Sequence, residues 1–242
     1  VPDLDYPVPT GTLRGYLAVP SGADGATGSD GSGPWPGVVV VHEIFGLTDD
    51  IRAQADRFAE RGYVALAPDL FAWGAAPKCL MATLKASATG HGRALDDVDA
   101  ARDYLAARDD CTGMVGVAGF CLGGGLAMLL APKGFRVTAA NYGHLPRAPE
   151  QALAGACPIV GSYGGRDLQL RGAAAKLDGV LTGLGVEHDV KEYPDSTHGF
   201  LFPHTGRAKW FEPWLVRYDP DAAADAWSRI FGFFDAHLKE AA

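Results

Sequence analysis

Three features of this 242-residue sequence predict an α/β protein built on a mostly parallel, doubly wound sheet flanked by helices. Short apolar runs rich in Val and Ala recur along the chain. Longer segments with helical spacing separate them. Polar residues stand directly after the runs, where the carboxyl ends of parallel strands form a crevice. The length suits one such domain over 1–242, with enough chain to bury a substantial core, and no internal repeat is visible.

Taken in order, Gly11 to Pro20 alternates in the manner of an antiparallel edge strand. Residues 21–36 are rich in Gly, Ser, Ala and Asp and read as a surface loop; too little chain precedes them for a domain linker. Gly37 to Val41 is a continuous apolar run, as a buried parallel strand requires, and it ends at His42-Glu43-Ile44-Phe45-Gly46-Leu47. Thr48 or Asp49 can cap the helix that follows, where Ile51, Ala55, Phe58 and Ala59 share a face. Tyr63 to Ala67 is the next strand, closed by Pro68-Asp69. Leu70 to Thr89 has no clean period and reads as a partly helical excursion over the top of the sheet. Leu95, Val98, Ala101 and Leu105 then mark an amphipathic helix running to Arg108. Met114–Ala118, Arg136–Asn141, Pro158–Tyr163 and Val186–Tyr193 are strands, with a helix over Ala173–Leu184 between the last two. Ala222 to Leu238 closes the chain as a helix docked on the sheet through Ala226, Ile230, Phe233, Phe234 and Leu238.

Composition narrows the partners. The formal net charge of −8 argues against nucleic acid and anionic membranes. No apolar run approaches transmembrane length, and no basic segment followed by an apolar one opens the chain. Four cysteines (Cys79, Cys111, Cys121, Cys157) lie far apart, with neither a C-x-x-C pair nor zinc spacing, and the seven histidines contain no H-x-x-x-H pair. A metal site and a disulfide framework are not expected. The expectation is a cytoplasmic protein with a small-molecule partner, as monomer or homodimer.

The chemistry centres on Gly119-Phe120-Cys121-Leu122-Gly123. An apolar strand ends, one Cys follows, and Gly123-Gly124-Gly125 opens a helix. This is G-x-C-x-G, the nucleophile-elbow pattern of α/β-hydrolases with Cys for Ser. Small residues flank the nucleophile because the turn brings the strand and helix backbones close. A thiol at a helix N-terminus is also stabilised as thiolate. Alone, the pentapeptide suits a buried thiol equally well. Asp167 and His198 stand directly after later strands, so all three residues should face one crevice. Their order of nucleophile, acid and base is that of the α/β-hydrolases. Singly, Asp167 could cap a helix and His198 could be a loop residue; jointly, order and placement favour a triad. The Ile44 and Leu122 N–H groups stand where that fold takes its two oxyanion donors. Glu43 reads either as a surface strand-end charge or as a base controlling thiol ionisation.

At this point the sequence resembles the dienelactone hydrolase family (carboxymethylenebutenolidases). The matching segments are H-E-I-F-G-L at 42–47, G-F-C-L-G-G-G at 119–125, G-G-R-D at 164–167 and H-G-F at 198–200, with a similar strand exit at Pro68-Asp69-Leu70. The resemblance implies the α/β-hydrolase fold and Cys121, Asp167 and His198 as the catalytic triad. It implies that Glu43 holds or deprotonates Cys121, that lactones or carboxylic esters are hydrolysed through a thioester acyl-enzyme, and that no cofactor is needed. One departure stands out. The dienelactone-acting members are similar in an Arg pair that grips the substrate carboxylate, one of them just after the catalytic His. Here no Arg follows His198 until Arg207, and none stands between Pro68 and Arg93. Trp73, Tyr142, Phe200 and Phe202 suggest an apolar acyl pocket, although the same aromatics suit a core. His144 stands at another strand end, as a pocket residue or a structural one. The aromatic loop 209–214 would cover the site or meet a second subunit. Two other readings remain at this level: a thioesterase or acyltransferase on the same fold, and a non-catalytic protein that traps electrophiles on Cys121.

Overall fold

The structure, a computed structural model, describes residues 3–20, 33–205 and 216–239. Eight strands form one sheet: β1 (Asp3–Val8), β2 (Gly11–Ala18), β3 (Trp35–Val41), β4 (Val64–Pro68), β5 (Cys111–Phe120), β6 (Thr138–Asn141), β7 (Ile159–Gly164) and β8 (His188–Tyr193). Their order across the sheet is β1-β2-β4-β3-β5-β6-β7-β8. The β1–β2 and β2–β4 pairs are antiparallel and the remaining pairs are parallel, which is the expected mostly parallel α/β-hydrolase architecture. The helices are α1 (Asp49–Ala59), α2 (Ala76–Thr89), α3 (Arg93–Ala106), α4 (Leu122–Leu130), α5 (Pro149–Ala152), α6 (Ala173–Leu184) and α7 (Pro220–Leu238).

Strand alternation divides the core in two. Val38 and Val40 of β3 face one layer with Ile51 and Phe58 of α1, Leu177 of α6 and Phe234 of α7. Val39 and Val41 face the other with Leu95, Val98 and Leu105 of α3. Phe58 is the hub of the first layer, with ring centroids 5.7 Å from Trp227, 5.4 Å from Phe231 and 5.5 Å from Phe234. Helix α4 is buried along its whole length, as the path directly behind an elbow demands.

One expectation is corrected. Strand β2 is not the sheet edge, because β1 pairs along it from Asp3↔Tyr16 to Val8↔Gly11. The alternation Leu4, Tyr6, Val8 carried that signal, but Pro7 and two acidic residues gave it the look of irregular chain. The excursion after Pro68 is partly helical, as expected: turns lead into α2, which is closed by Gly90 in the left-handed conformation. The loop 21–36 lies mostly outside the described residues, as does the aromatic segment 209–214 with Arg207. Among the described residues, no helix is long and apolar enough to cross a membrane.

Candidate active site

The carboxyl ends of β3, β5 and β7 and the chain leaving β8 meet around Cys121. Strand β5 ends at Phe120 and α4 begins at Leu122, so Cys121 alone makes the turn, with φ 54° and ψ −115°. A non-glycine residue there is strained by about 1–3 kcal/mol and persists only where its surroundings impose it. They do so here. A methyl group on Gly119 would run into the Gly123 carbonyl, and one on Gly123 into the carbonyl of Val41. The Cys121 N–H donates to the Asn141 carbonyl at 3.1 Å, and the Asn141 side-chain amide donates to the Gly119 carbonyl at 3.2 Å. The thiol is left half-buried at the tip.

Asp167, three residues past β7, is buried, and its two oxygens divide the work. Oδ1 accepts the Gln169 N–H at 3.0 Å in the turn ahead of α6, whose N-cap is Gly172, so Asp167 caps no helix. Oδ2 stands 2.5 Å from His198 Nδ1, which is the triad reading. The two bonds use different oxygens and are compatible. On its other side lies Cys121, near enough to influence the proton on the imidazole. Burial, the largest influence, opposes charge on the imidazole, yet the bond to Asp167, the neighbouring Cys121 sulfur and the negative charge of both outweigh it and lift His198 to about 10. The Tyr142 ring packs edge-on against His198 with centroids 5.0 Å apart, and the Tyr142 backbone is also left-handed, at φ 39°.

Glu43 is not a surface charge: it is 5% exposed. Its Oε2 lies 3.1 Å from Nε2 of the buried His204, which sequence reasoning did not single out. Nothing local marks His204, because its partner is 161 positions away. Its backbone is anchored next door, where the Thr205 N–H and hydroxyl both donate to Asp50 in the first turn of α1, at 2.9 and 2.6 Å. Its ring packs on Phe202 at 4.8 Å, in space that a methyl group on Gly199 would invade. The hydroxyl of Tyr142 is buried, and its proton is held more tightly, first by desolvation and then by the charges of Glu43 and Cys121. Glu43, Tyr142 and Cys121 therefore share one neighbourhood.

The cavity that contains Cys121 encloses about 250 Å³ between α2 and the elbow. Its lining includes Leu84, Leu122, His144, Leu145 and Arg147. Of the four aromatics expected to line a pocket, none lines this one. Phe200 and Phe202 are core residues, 0% and 2% exposed. Tyr142 backs the site as a buried wall. Trp73 turns toward α3, where its indole N–H donates to Asp97 at 2.7 Å and the Arg93 guanidinium stacks on its ring. The pattern of large apolar residues could not separate wall from core. His144, one of two readings from sequence, does line the cavity. So does Arg147, a cation brought there by the loop after β6, well away from the sequence positions where an Arg was sought.

A mostly parallel sheet with a left-handed elbow residue at the end of a central strand, and an acid and a histidine at later strand ends, defines an α/β-hydrolase fold. The dienelactone hydrolase family model matches residues 22–238, and this chain belongs to that family of carboxylic ester hydrolases. A Synechocystis protein assigned as a carboxymethylenebutenolidase is 30% identical over 94% of this chain and 93% of its own length. A Klebsiella pneumoniae structure assigned as a dienelactone hydrolase superposes with TM-score 0.76 at 25% identity, covering 96% of this chain and 97% of that one. A dienelactone hydrolase-like promiscuous phosphotriesterase from metagenomic libraries, P91, does so with TM-score 0.74 at 25% identity over 98% of both chains.

Proposed function

We propose that the protein hydrolyses lactones or carboxylic esters with Cys121 as nucleophile, through a thioester acyl-enzyme. The observation that carries this reading is the strained, half-buried Cys121 beside a His198 that is bonded at 2.5 Å to the buried Asp167. In the first step the sulfur attacks the carbonyl carbon, and the carbonyl oxygen becomes an oxyanion received by the Ile44 and Leu122 N–H groups. Leu122 is the first residue of α4, so its N–H is among those a helix leaves without an internal partner. The C–O bond of the ester breaks, and His198 gives its proton to the departing oxygen. In the second step His198 takes a proton from water, whose oxygen attacks the thioester and frees the acid and Cys121. Asp167 holds the imidazole with Nδ1 toward it throughout, leaving the opposite nitrogen for the proton transfers. Glu43, buried in the same neighbourhood, controls the ionisation of the thiol.

The cavity of about 250 Å³ suits a small acyl or lactone group, with leucines along its walls. Turnover of p-nitrophenyl acetate and of a small unsaturated lactone by wild-type protein and by Cys121→Ala tests the reading. The variant is expected to keep its fold and lose turnover by at least about a thousandfold. A short-lived mass increment equal to the acyl group should appear on the wild type alone. Turnover by Cys121→Ala at the wild-type rate overturns the assignment.

A further inference from the structure

The reading above uses the Ile44 N–H as an oxyanion donor but leaves open what aims it. His42 has the means. It is fully buried, and both ring nitrogens are engaged: the Leu70 N–H donates to Nε2 at 3.1 Å, and Nδ1 lies 2.6 Å from the Glu43 carbonyl oxygen. Since Nε2 accepts a hydrogen bond, the ring proton must sit on Nδ1, which therefore donates to that carbonyl. The surroundings admit no other tautomer. The Phe71 ring packs edge-on against the imidazole at 4.8 Å and completes its enclosure.

The carbonyl that His42 holds belongs to the Glu43–Ile44 peptide. That peptide is trans, so its C=O and N–H point in opposite directions from one rigid plane. Fixing the oxygen on the His42 side necessarily turns the Ile44 N–H to the other side. A second donor, the Gly46 N–H at 3.3 Å, reinforces the same oxygen and closes a tight turn. Sheet register brings this turn to the elbow. Val41 of β3 stands opposite Gly119 of β5, so Ile44 and Leu122 each leave the sheet three residues past a paired position on adjacent strands. Gly123 packs against the carbonyls of Val41 and His42, with no room for a side chain between them.

We propose that His42 is a positioning residue for the oxyanion site: by holding the Glu43 carbonyl it directs the Ile44 N–H toward the reacting carbonyl beside Cys121. This rests on the hydrolase reading above. The Leu70 N–H, supplied by the chain leaving β4, keeps the imidazole in the required tautomer, so the oxyanion donor is braced from the neighbouring strand. His42 touches no substrate and transfers no proton.

The test compares His42→Leu, which removes the donor, with His42→Asn, whose side-chain amide reaches the place of Nδ1. Ester hydrolysis and alkylation of Cys121 by iodoacetamide are measured side by side. Alkylation displaces iodide at a saturated carbon and develops no carbonyl oxyanion, so it reports an intact thiol site without using the oxyanion donors. For His42→Leu, kcat should fall by about ten- to a hundredfold with KM little changed, because the interaction exists only in the transition state. Alkylation should proceed at the wild-type rate, and His42→Asn should recover most of kcat. An unchanged kcat in His42→Leu overturns the proposal, and so does a fall in alkylation that parallels the fall in kcat, which marks general damage to the site. If His42→Leu does not fold, His42→Met is read in its place, since its thioether is a weak acceptor for Leu70 and it carries no donor toward Glu43. Turnover by Cys121→Ala at the wild-type rate would instead remove the hydrolase reading, an outcome that the His42 variants cannot mimic.

Discussion

The imidazole of His198 lies between a carboxylate and a sulfur, and this sets how it responds to pH. Its folded-state value, lifted to about 10, exceeds the unfolded value near 6.5. The contribution of the charged ring to stability is therefore complete below pH 6.5 and is lost as pH rises through about 10. Denaturant unfolding at intervals from pH 6 to pH 10 should show stability falling across this window in the wild type and a flatter profile in His198→Gln. Equal slopes would mean that His198 is not the group responsible. At Glu43 the issue is burial without escape to water. His204 is its hydrogen-bonding partner, and the two side chains are nearly inaccessible, His204 at 1% and Glu43 at 6% exposure. Removing one member of a buried hydrogen-bonded pair leaves the other unsatisfied and typically destabilises by about 1–3 kcal/mol. His204→Leu should show a loss of that order in urea unfolding, with part of it regained in the double variant that also carries Glu43→Gln. A loss within error of zero would show that the pair carries no weight in the folded state.

Among the elements, the strand–turn–helix from β5 to α4 does most to place the site, and it does so through contacts that admit no side chain. Gly123 is wedged against the carbonyl ends of β3 while Gly119 lies against Gly123 itself. A methyl group at Gly123 would push α4 away from β3 and carry the Leu122 N–H with it. Gly123→Ala should accordingly lower the melting temperature by several degrees and reduce kcat more than KM changes, read by thermal melts and steady-state kinetics on the folded fraction. Wild-type values in both would show that the helix can shift without consequence. The elbow was legible from sequence because its requirements are local: small residues at fixed offsets from one nucleophile. The cavity was not. Its walls come from α2, the elbow and the loop after β6 together, and no local period distinguishes a Leu that faces that space from one that faces the core.

For the molecule as a whole, alternating apolar runs and helical segments were enough to predict the doubly wound sheet, because parallel strands buried on both faces leave a continuous apolar signature. The order of Cys121, Asp167 and His198 along the chain, each within five residues of a strand end, was enough to gather them at one end of the sheet. Sequence by itself thus determined the class of fold, the elbow and the candidate residues that gather beside it, all of which follow from local spacing and from the rule that parallel strands share a carboxyl end. Tertiary structure decided the rest. It put β1 at the edge, buried Glu43 against His204, turned Trp73 toward Asp97, sent Phe200 and Phe202 into the core and brought His144 and Arg147 to the cavity. Each of these depends on which distant segment lies alongside, over separations as large as 161 residues between Glu43 and His204. A charge or a ring has no fixed meaning until packing supplies its neighbours, whereas a strand-end turn carries its geometry within a few residues.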